Sequence, residues 1–133
     1  MLCTVYRPPS TPINFLEDLN INFTDSLLPE LGVILLGDLN CDLLGSCSEG
    51  EAPLDFCATT NLVQLVQDPT RITETFQSLI DEALTTKESI IYSCKAMSSS
   101  IGDHNLISLT LKLKPPKKRP HVSLPETTKI LIR

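Results

Sequence analysis

Three groups of polar residues sit at the ends of, or inside, otherwise apolar stretches of this 133-residue chain: Asp38 with Asn40, Asp81, and Asp103 with His104. Carboxylates can orient a water molecule or hold a cation, and an imidazole or a carboxamide can donate to an oxygen that gains negative charge. Strands that end at one rim can gather such groups into a single site. Each group also has a plainer reading. Gly37-Asp-Leu-Asn40 fits a turn closed by Asx hydrogen bonds, Asp81 could pair with Arg71 or with backbone amides, and Gly102-Asp-His-Asn105 could be a strand-entry turn.

The elements that must position these groups follow from the hydrophobic pattern. Residues 2–6 alternate β-branched and aromatic residues and predict a strand that ends at Tyr6, before Arg7-Pro-Pro-Ser10. Ser10 or Thr11 can cap a helix with Pro12 in its first turn, with Phe15, Leu16, Leu19 and Phe23 at helical spacing and Pro29 and Gly32 closing it. The unbroken apolar run 33–36 predicts a strand buried on both faces. Residues 45–50 read as a polar loop, and Pro53 opens a helix that Thr59-Thr-Asn61 ends. Residues 62–66 read as a strand edge, and Asp68-Pro-Thr70 turns the chain. Residues 76–84 form a strand with Asp81 embedded where a carboxylate is normally excluded. Residues 90–92 and 106–113 are further strands. The pattern predicts a layered α/β or α+β domain.

Composition narrows the function classes. No apolar run approaches the roughly 20 residues of a membrane span, and no secretory h-region follows the amino terminus. The expectation is an intracellular, soluble protein, with a nuclear location open. Five scattered cysteines without CxxC spacing argue against a disulfide framework or a zinc site. The net charge of -5 hides an asymmetry. Residues 1–111 carry four basic groups against fifteen acidic ones, whereas residues 112–133 carry seven basic groups against Glu126 alone. An acidic body repels a polyphosphate unless cations intervene, so charge does not support an autonomous nucleic-acid-binding body. The tail from residue 114 reads as a basic, Pro/Lys-rich linker, with Lys112 to Arg119 alternatively a patch for acidic partners or nuclear import.

The order of the motifs carries more than any one of them. An Asp-x-Asn after an apolar run, then Ser78-Leu-Ile-Asp81, then Gly102-Asp-His104 before a terminal strand resembles the endonuclease/exonuclease/phosphatase superfamily. Within it, the set is similar to the apurinic-type endonucleases of non-LTR (LINE-type) retrotransposons. Val5-Tyr-Arg-Pro-Pro-Ser10, Asn14-Phe-Leu-Glu-Asp-Leu19, Leu36-Gly-Asp-Leu-Asn-Cys-Asp42 and Gln67-Asp-Pro-Thr-Arg71 add to the resemblance, which runs from Leu2 to Leu113. It implies hydrolysis of a phosphodiester, with DNA as partner and magnesium as cofactor. It implies roles for Asp38 in aligning or deprotonating the attacking water, for Asn40 in donating to Asp38 or the phosphate, for His104 in bonding a phosphate oxygen, and for Asp81 in orienting His104. Asp103 resembles a carboxylate near the metal, Tyr6 a phenol that contacts phosphate, and Thr70 and Arg71 members of a substrate-contacting loop.

The resemblance covers the carboxy-terminal half of that family's domain. It implies a partial four-layer α/β sandwich, an α+β fold of about one sheet plus flanking helices over residues 1–113, with 114–133 as the tail. The family's amino-terminal half supplies a metal-binding asparagine and glutamate, and neither has a counterpart here. Gly102 stands where a serine is usual. Glu82 stands where an apolar strand residue is usual, which implies relaxed packing or a solvent-exposed face. A half sandwich would leave one face of 33–36 uncovered. The resulting expectation is a truncated phosphodiesterase, inactive alone, whose partners are a missing amino-terminal half or a downstream reverse-transcriptase region. The alternative is a non-catalytic remnant that acts as an interaction module or has no function. In either case Asp38, Asn40, Asp81 and His104 should cluster, with His104 in hydrogen-bond reach of Asp81.

Overall fold

The computed structural model describes residues 1–12, 14–26, 32–45, 48–100 and 102–114. The basic tail beyond Lys114, the closing residues 27–31 of the first predicted helix, and Cys47 lie outside them. The fold is α+β. A four-stranded sheet has the order β1-β2-β6-β3, and two short two-stranded sheets pair β4 with β5 and β7 with β8. The strands are β1 (Leu2–Tyr6), β2 (Ile34–Asp38), β3 (Val63–Gln64), β4 (Arg71–Ile72), β5 (Gln77–Ser78), β6 (Asp81–Thr85), β7 (Ile91–Met97) and β8 (Leu106–Leu111). The helices are α1 (Phe15–Ser26) and α2 (Ser48–Thr60), with a 3-10 turn at Glu88–Ile90.

β1 and β2 are parallel, which requires a crossover, and α1 supplies it. β6 is antiparallel to both β2 and β3. Alternation then sorts the side chains. Leu35 and Leu84 face the helices, where they pack with Leu16, Val33, Phe56, Cys57 and Leu62. Leu36 and Ala83 face the other way, among Val66, Leu79, Leu43, Leu65, Cys94 and Ile107. Gly37 is needed where β1 and β2 meet, because a Cβ there would run into the Val5 carbonyl.

Several expectations change. The exposed apolar face predicted along 33–36 is absent: Val33, Ile34 and Leu35 are buried, because the helices cover one side and the β7–β8 hairpin reaches the other through Cys94 and Ile107. α1 begins at Phe15 rather than at Pro12, since Arg7 engages the Thr11 carbonyl and holds 7–11 as a loop. α2 starts at Ser48, inside the predicted loop 45–50, and contains Pro53. Complete burial of Pro53 outweighs the one backbone hydrogen bond it forgoes. The strand predicted over 76–84 is interrupted at Leu79 and Ile80, whose amides donate to the side chains of Asp42 (3.0 Å) and Thr70 (3.1 Å) instead of to a ladder.

Glu82 also departs from expectation. It is neither loosely packed nor exposed but 0% accessible, on the helix-facing side of β6 opposite Gly37. Neither carboxylate oxygen has a hydrogen-bond partner among the described residues. Burial, followed by the nearby charges of Asp38 and Asp81, pushes its carboxyl up to about 8. Glu82 is therefore neutral in the folded protein at pH 7.

The stability consequence has a definite sign. Below the ordinary carboxyl range, both the folded and unfolded chains hold the proton, and no penalty arises. Between about 4.5 and about 8 the unfolded chain releases it while the folded chain keeps it, so stability falls by up to about 1.4 kcal/mol per pH unit and levels off above that window. Denaturant titrations from pH 4 to pH 9 should show this slope in the native chain and a flatter profile in Glu82→Gln. Parallel profiles for the two proteins would refute the assignment.

Candidate active site

The register of β2 and β6 builds the centre of the site. Asp38 closes β2 and Asp81 opens β6, and the two are paired in the antiparallel ladder, so both carboxylates project from the same face at one rim. Tyr6 ends β1 in register with Asp38 and is 66% exposed at that rim. His104 reaches the same place from the segment before β8, with its backbone in an isolated bridge to Arg71. Its Nδ1 lies 2.9 Å from Asp81 Oδ2. Potential ligand atoms of Asp38, Asp81 and His104 all fall within 4.8 Å of one another, and all three residues are half-buried.

The turn after β2 is an Asx turn as well as part of this cluster. Asp38 Oδ1 accepts from the Asn40 amide at 2.9 Å, and Asn40 adopts φ 48°, a left-handed conformation that asparagine tolerates. The Asn40 side chain donates to the Arg7 carbonyl at 2.7 Å. Burial raises the Asp38 carboxyl above its ordinary range, opposed first by the Asn40 amide. The Asp81 charge raises it further, while His104 and Arg71 lower it.

Arg7 holds this turn from behind. It is 4% accessible. Its guanidinium donates to the carbonyls of Leu39 (3.1 Å) and Asn40 (3.0 Å), to Cys41 Sγ (3.2 Å) and to the Thr11 carbonyl. It also lies 5.6 Å from the centre of the Phe15 ring. The sequence reading gave Arg7 no role, although a lone arginine directly after an apolar strand in an acidic body is the signal it carried. Asp42 was likewise passed over. Its carboxylate accepts from the amides of Leu44 and Leu79, both at 3.0 Å, and ties the turn to β6.

The remaining candidates fall at the edge of the cluster. Thr70, expected among the substrate contacts, is 0% accessible. Its hydroxyl accepts from the amides of Ile80 and Asp81, at 3.1 and 2.9 Å, so it fixes the start of β6. Asp103 is not part of the set of three. It pairs with Arg71 Nε at 2.6 Å on the surface, and that guanidinium holds its carboxyl below the usual range. Asp81, for which an Arg71 partner was the plainer alternative, pairs with His104 instead. A cavity of about 350 Å³ runs below Asp38 and Asp81, between Thr4, Leu36 and the segment Asn105, Leu106 and Ile107. Among the described residues no helix is long and apolar enough to cross a membrane.

Arg7→Met should cost roughly 3 kcal/mol in urea denaturation, because several buried carbonyls lose their donor together. It should also displace the Asn40 amide resonance, whereas Arg7→Lys should restore only part of the loss. A cost within about 0.5 kcal/mol would mean that the turn stands without Arg7.

No protein-family model and no curated protein matches the sequence. Solved structures do. The endonuclease domain of TRAS1, a telomere-specific non-LTR retrotransposon, superposes with a TM-score of 0.72 at 21% identity, over 83% of this chain and 56% of that one. An endonuclease/exonuclease/phosphatase family protein from Leptotrichia buccalis matches with a TM-score of 0.56 at 15% identity, over 83% and 49%. A mannosyl-6-phosphatase from Bacteroides thetaiotaomicron matches at 0.53 and 13%, over 83% and 50%. The chain spans about half the length of each, and its fold is that of the corresponding part of the endonuclease/exonuclease/phosphatase proteins.

Proposed function

We propose that this chain is the phosphate-handling part of a phosphodiesterase domain related to divalent-metal-dependent, DNA-nicking endonucleases, and that it lacks turnover on its own. The observation that carries the reading is the Asp81–His104 hydrogen bond at 2.9 Å beside the Asp38 carboxylate. A carboxylate on Nδ1 fixes the orientation of the imidazole and leaves Nε2 for a phosphate oxygen. Asp38 has one oxygen on the Asn40 amide and the other available to orient a water. The exposed phenol of Tyr6 stands at the same rim to donate to the phosphate.

Magnesium is commonly held by one or two carboxylates, with waters and substrate phosphates completing its shell. Asp38 and Asp81, paired across β2 and β6, fit that requirement. When bound, the ion would neutralise the phosphate and stabilise charge on its oxygens. Asp103 would have to leave Arg71 to join them. Holding the ion would compete with the other tasks of these carboxylates, since Asp38 must also orient the water and Asp81 the His104 ring, which supports the inactive reading. DNA as substrate rests on the retrotransposon endonuclease likeness. A partner would be a polypeptide that supplies the other half of the sandwich. The second reading, a non-catalytic module that acts only by interaction, is favoured by the engagement of Asp103 with Arg71 rather than with the site.

Nicking of supercoiled plasmid separates the possibilities, using the purified, demonstrably folded chain with magnesium, with EDTA and as His104→Ala. The expected result is no nicking by the native chain. Metal-dependent nicking that falls at least roughly 100-fold in His104→Ala would instead make it a self-sufficient enzyme and overturn the inactive assignment.

A further inference from the structure

The β7–β8 hairpin covers one side of the four-stranded sheet only in part, and the opening it leaves is strand-shaped. Among the described residues β8 pairs with β7 alone, so its other edge carries no ladder, and a free edge of this kind accepts an extended segment. The cavity of about 350 Å³ beside the site lies at that edge: its walls come from β1, β2, β6 and residues 105–107, and no β7 residue lines it. Leu36 and Ile107 give it apolar walls. Alternation along β1 adds Leu2 to the same side of the sheet as Thr4 and Leu36, where it is 66% exposed, and Leu113, two residues beyond β8, is 68% exposed. Apolar groups gathered around an open edge call for a cover.

The chain itself carries a segment of the right kind. Pro115, Pro116, Pro120 and Pro125 all precede Glu126, whereas Thr127-Thr-Lys-Ile-Leu-Ile-Arg133 contains no proline. Proline interrupts a ladder, and threonine and isoleucine favour one. In an extended conformation Thr128, Ile130 and Ile132 share one face, and Lys129, Leu131 and Arg133 the other. The connection 115–126 has twice as many residues as β8, enough for an antiparallel return along it. Charge favours the same association. Residues 112–133 hold seven basic groups against Glu126, while residues 1–111 hold fifteen acidic groups against four basic ones, so the tail is attracted to the body, and the covalent link favours it over a free strand.

We propose that residues 128–132 add to the free edge of β8 as a third, antiparallel strand, with Ile130 and Ile132 set into the cavity against Leu36 and Ile107. The chain then closes its own half-open face, and a polypeptide that completes the sandwich has to displace this strand first. The strand does not depend on the reading of the site as phosphate-handling.

Nuclear magnetic resonance on the full chain tests it. Methyl contacts should connect Ile130 or Ile132 with Leu36 or Ile107, and the β8 amides turned away from β7 should exchange at least roughly 10-fold more slowly than in a chain ended at Glu126. A peptide of residues 127–133 added to the shortened chain should restore that protection. In the full chain, Ile130→Asp should remove the contacts and speed exchange, whereas Leu131→Asp, on the opposite face, should do neither. Should the shortened chain not fold, the native contacts and the comparison of these two substitutions decide. Absence of the contacts in the folded native chain would overturn the strand, as would equal exchange in Ile130→Asp and the native chain. Contacts that appear only as protein concentration rises, with a dimer mass in light scattering, would assign the strand to a second copy and overturn self-closure. None of these readouts involves nicking, so the strand and the phosphate reading fail separately.

Discussion

The pairing of Asp38 with Asp81 across β2 and β6 is the constraint on which the site depends. Antiparallel strands place directly opposed residues on one face, and here both are carboxylates at the end of a ladder. Two such groups repel each other, and the Asp81 charge contributes to the upward shift of Asp38. The structure offsets the repulsion with donors. The Asn40 amide serves Asp38, His104 serves Asp81, and the Thr70 hydroxyl accepts the Asp81 backbone amide so that the strand begins at that residue.

Behind this face lies a second tier of support that contributes no chemistry. Arg7 collects carbonyls from the turn after β2 and from the loop after β1, and Asp42 ties that turn to Leu79. Both residues use a charge to satisfy backbone groups that no regular ladder could reach. The loops of the rim are therefore held by side chains at the points where strands stop.

Much of the architecture was legible because it follows from local pattern. The strand ending at Tyr6, the buried run at 33–36 and the terminal strand near 106–111 all reflect hydrophobic periodicity. The meeting of Asp81 with His104 was legible from motif order rather than from spacing, since 23 residues separate them. What periodicity could not show was side chains taking the place of ladder partners. The break at Leu79 and Ile80 depends on Asp42 and Thr70, and α2 continues through a Pro53 that is fully buried. The misreading of Glu82 had a related cause. A carboxylate in a strand looks exposed until the helix that covers that face is in place, and the sequence does not say how closely α2 lies over it.

Acidic residues at two consecutive positions of β6 have a further consequence for how the strand finds its place. A slip of one residue in a strand normally exchanges its polar and apolar faces, and the mismatch penalises the error. Here a slip would exchange Asp81 for Glu82, so the rim would still present a carboxylate and the usual contrast is lost at that end. Alignment must instead be enforced by contacts that cannot be exchanged between neighbours. The Thr70 hydroxyl captures the amides of Ile80 and Asp81, and at the far end the Thr85 hydroxyl donates to the Val33 carbonyl at 2.9 Å. Two threonines thus act as index marks for the strand, and the identity of the acid at the rim is decided by buried hydroxyl groups.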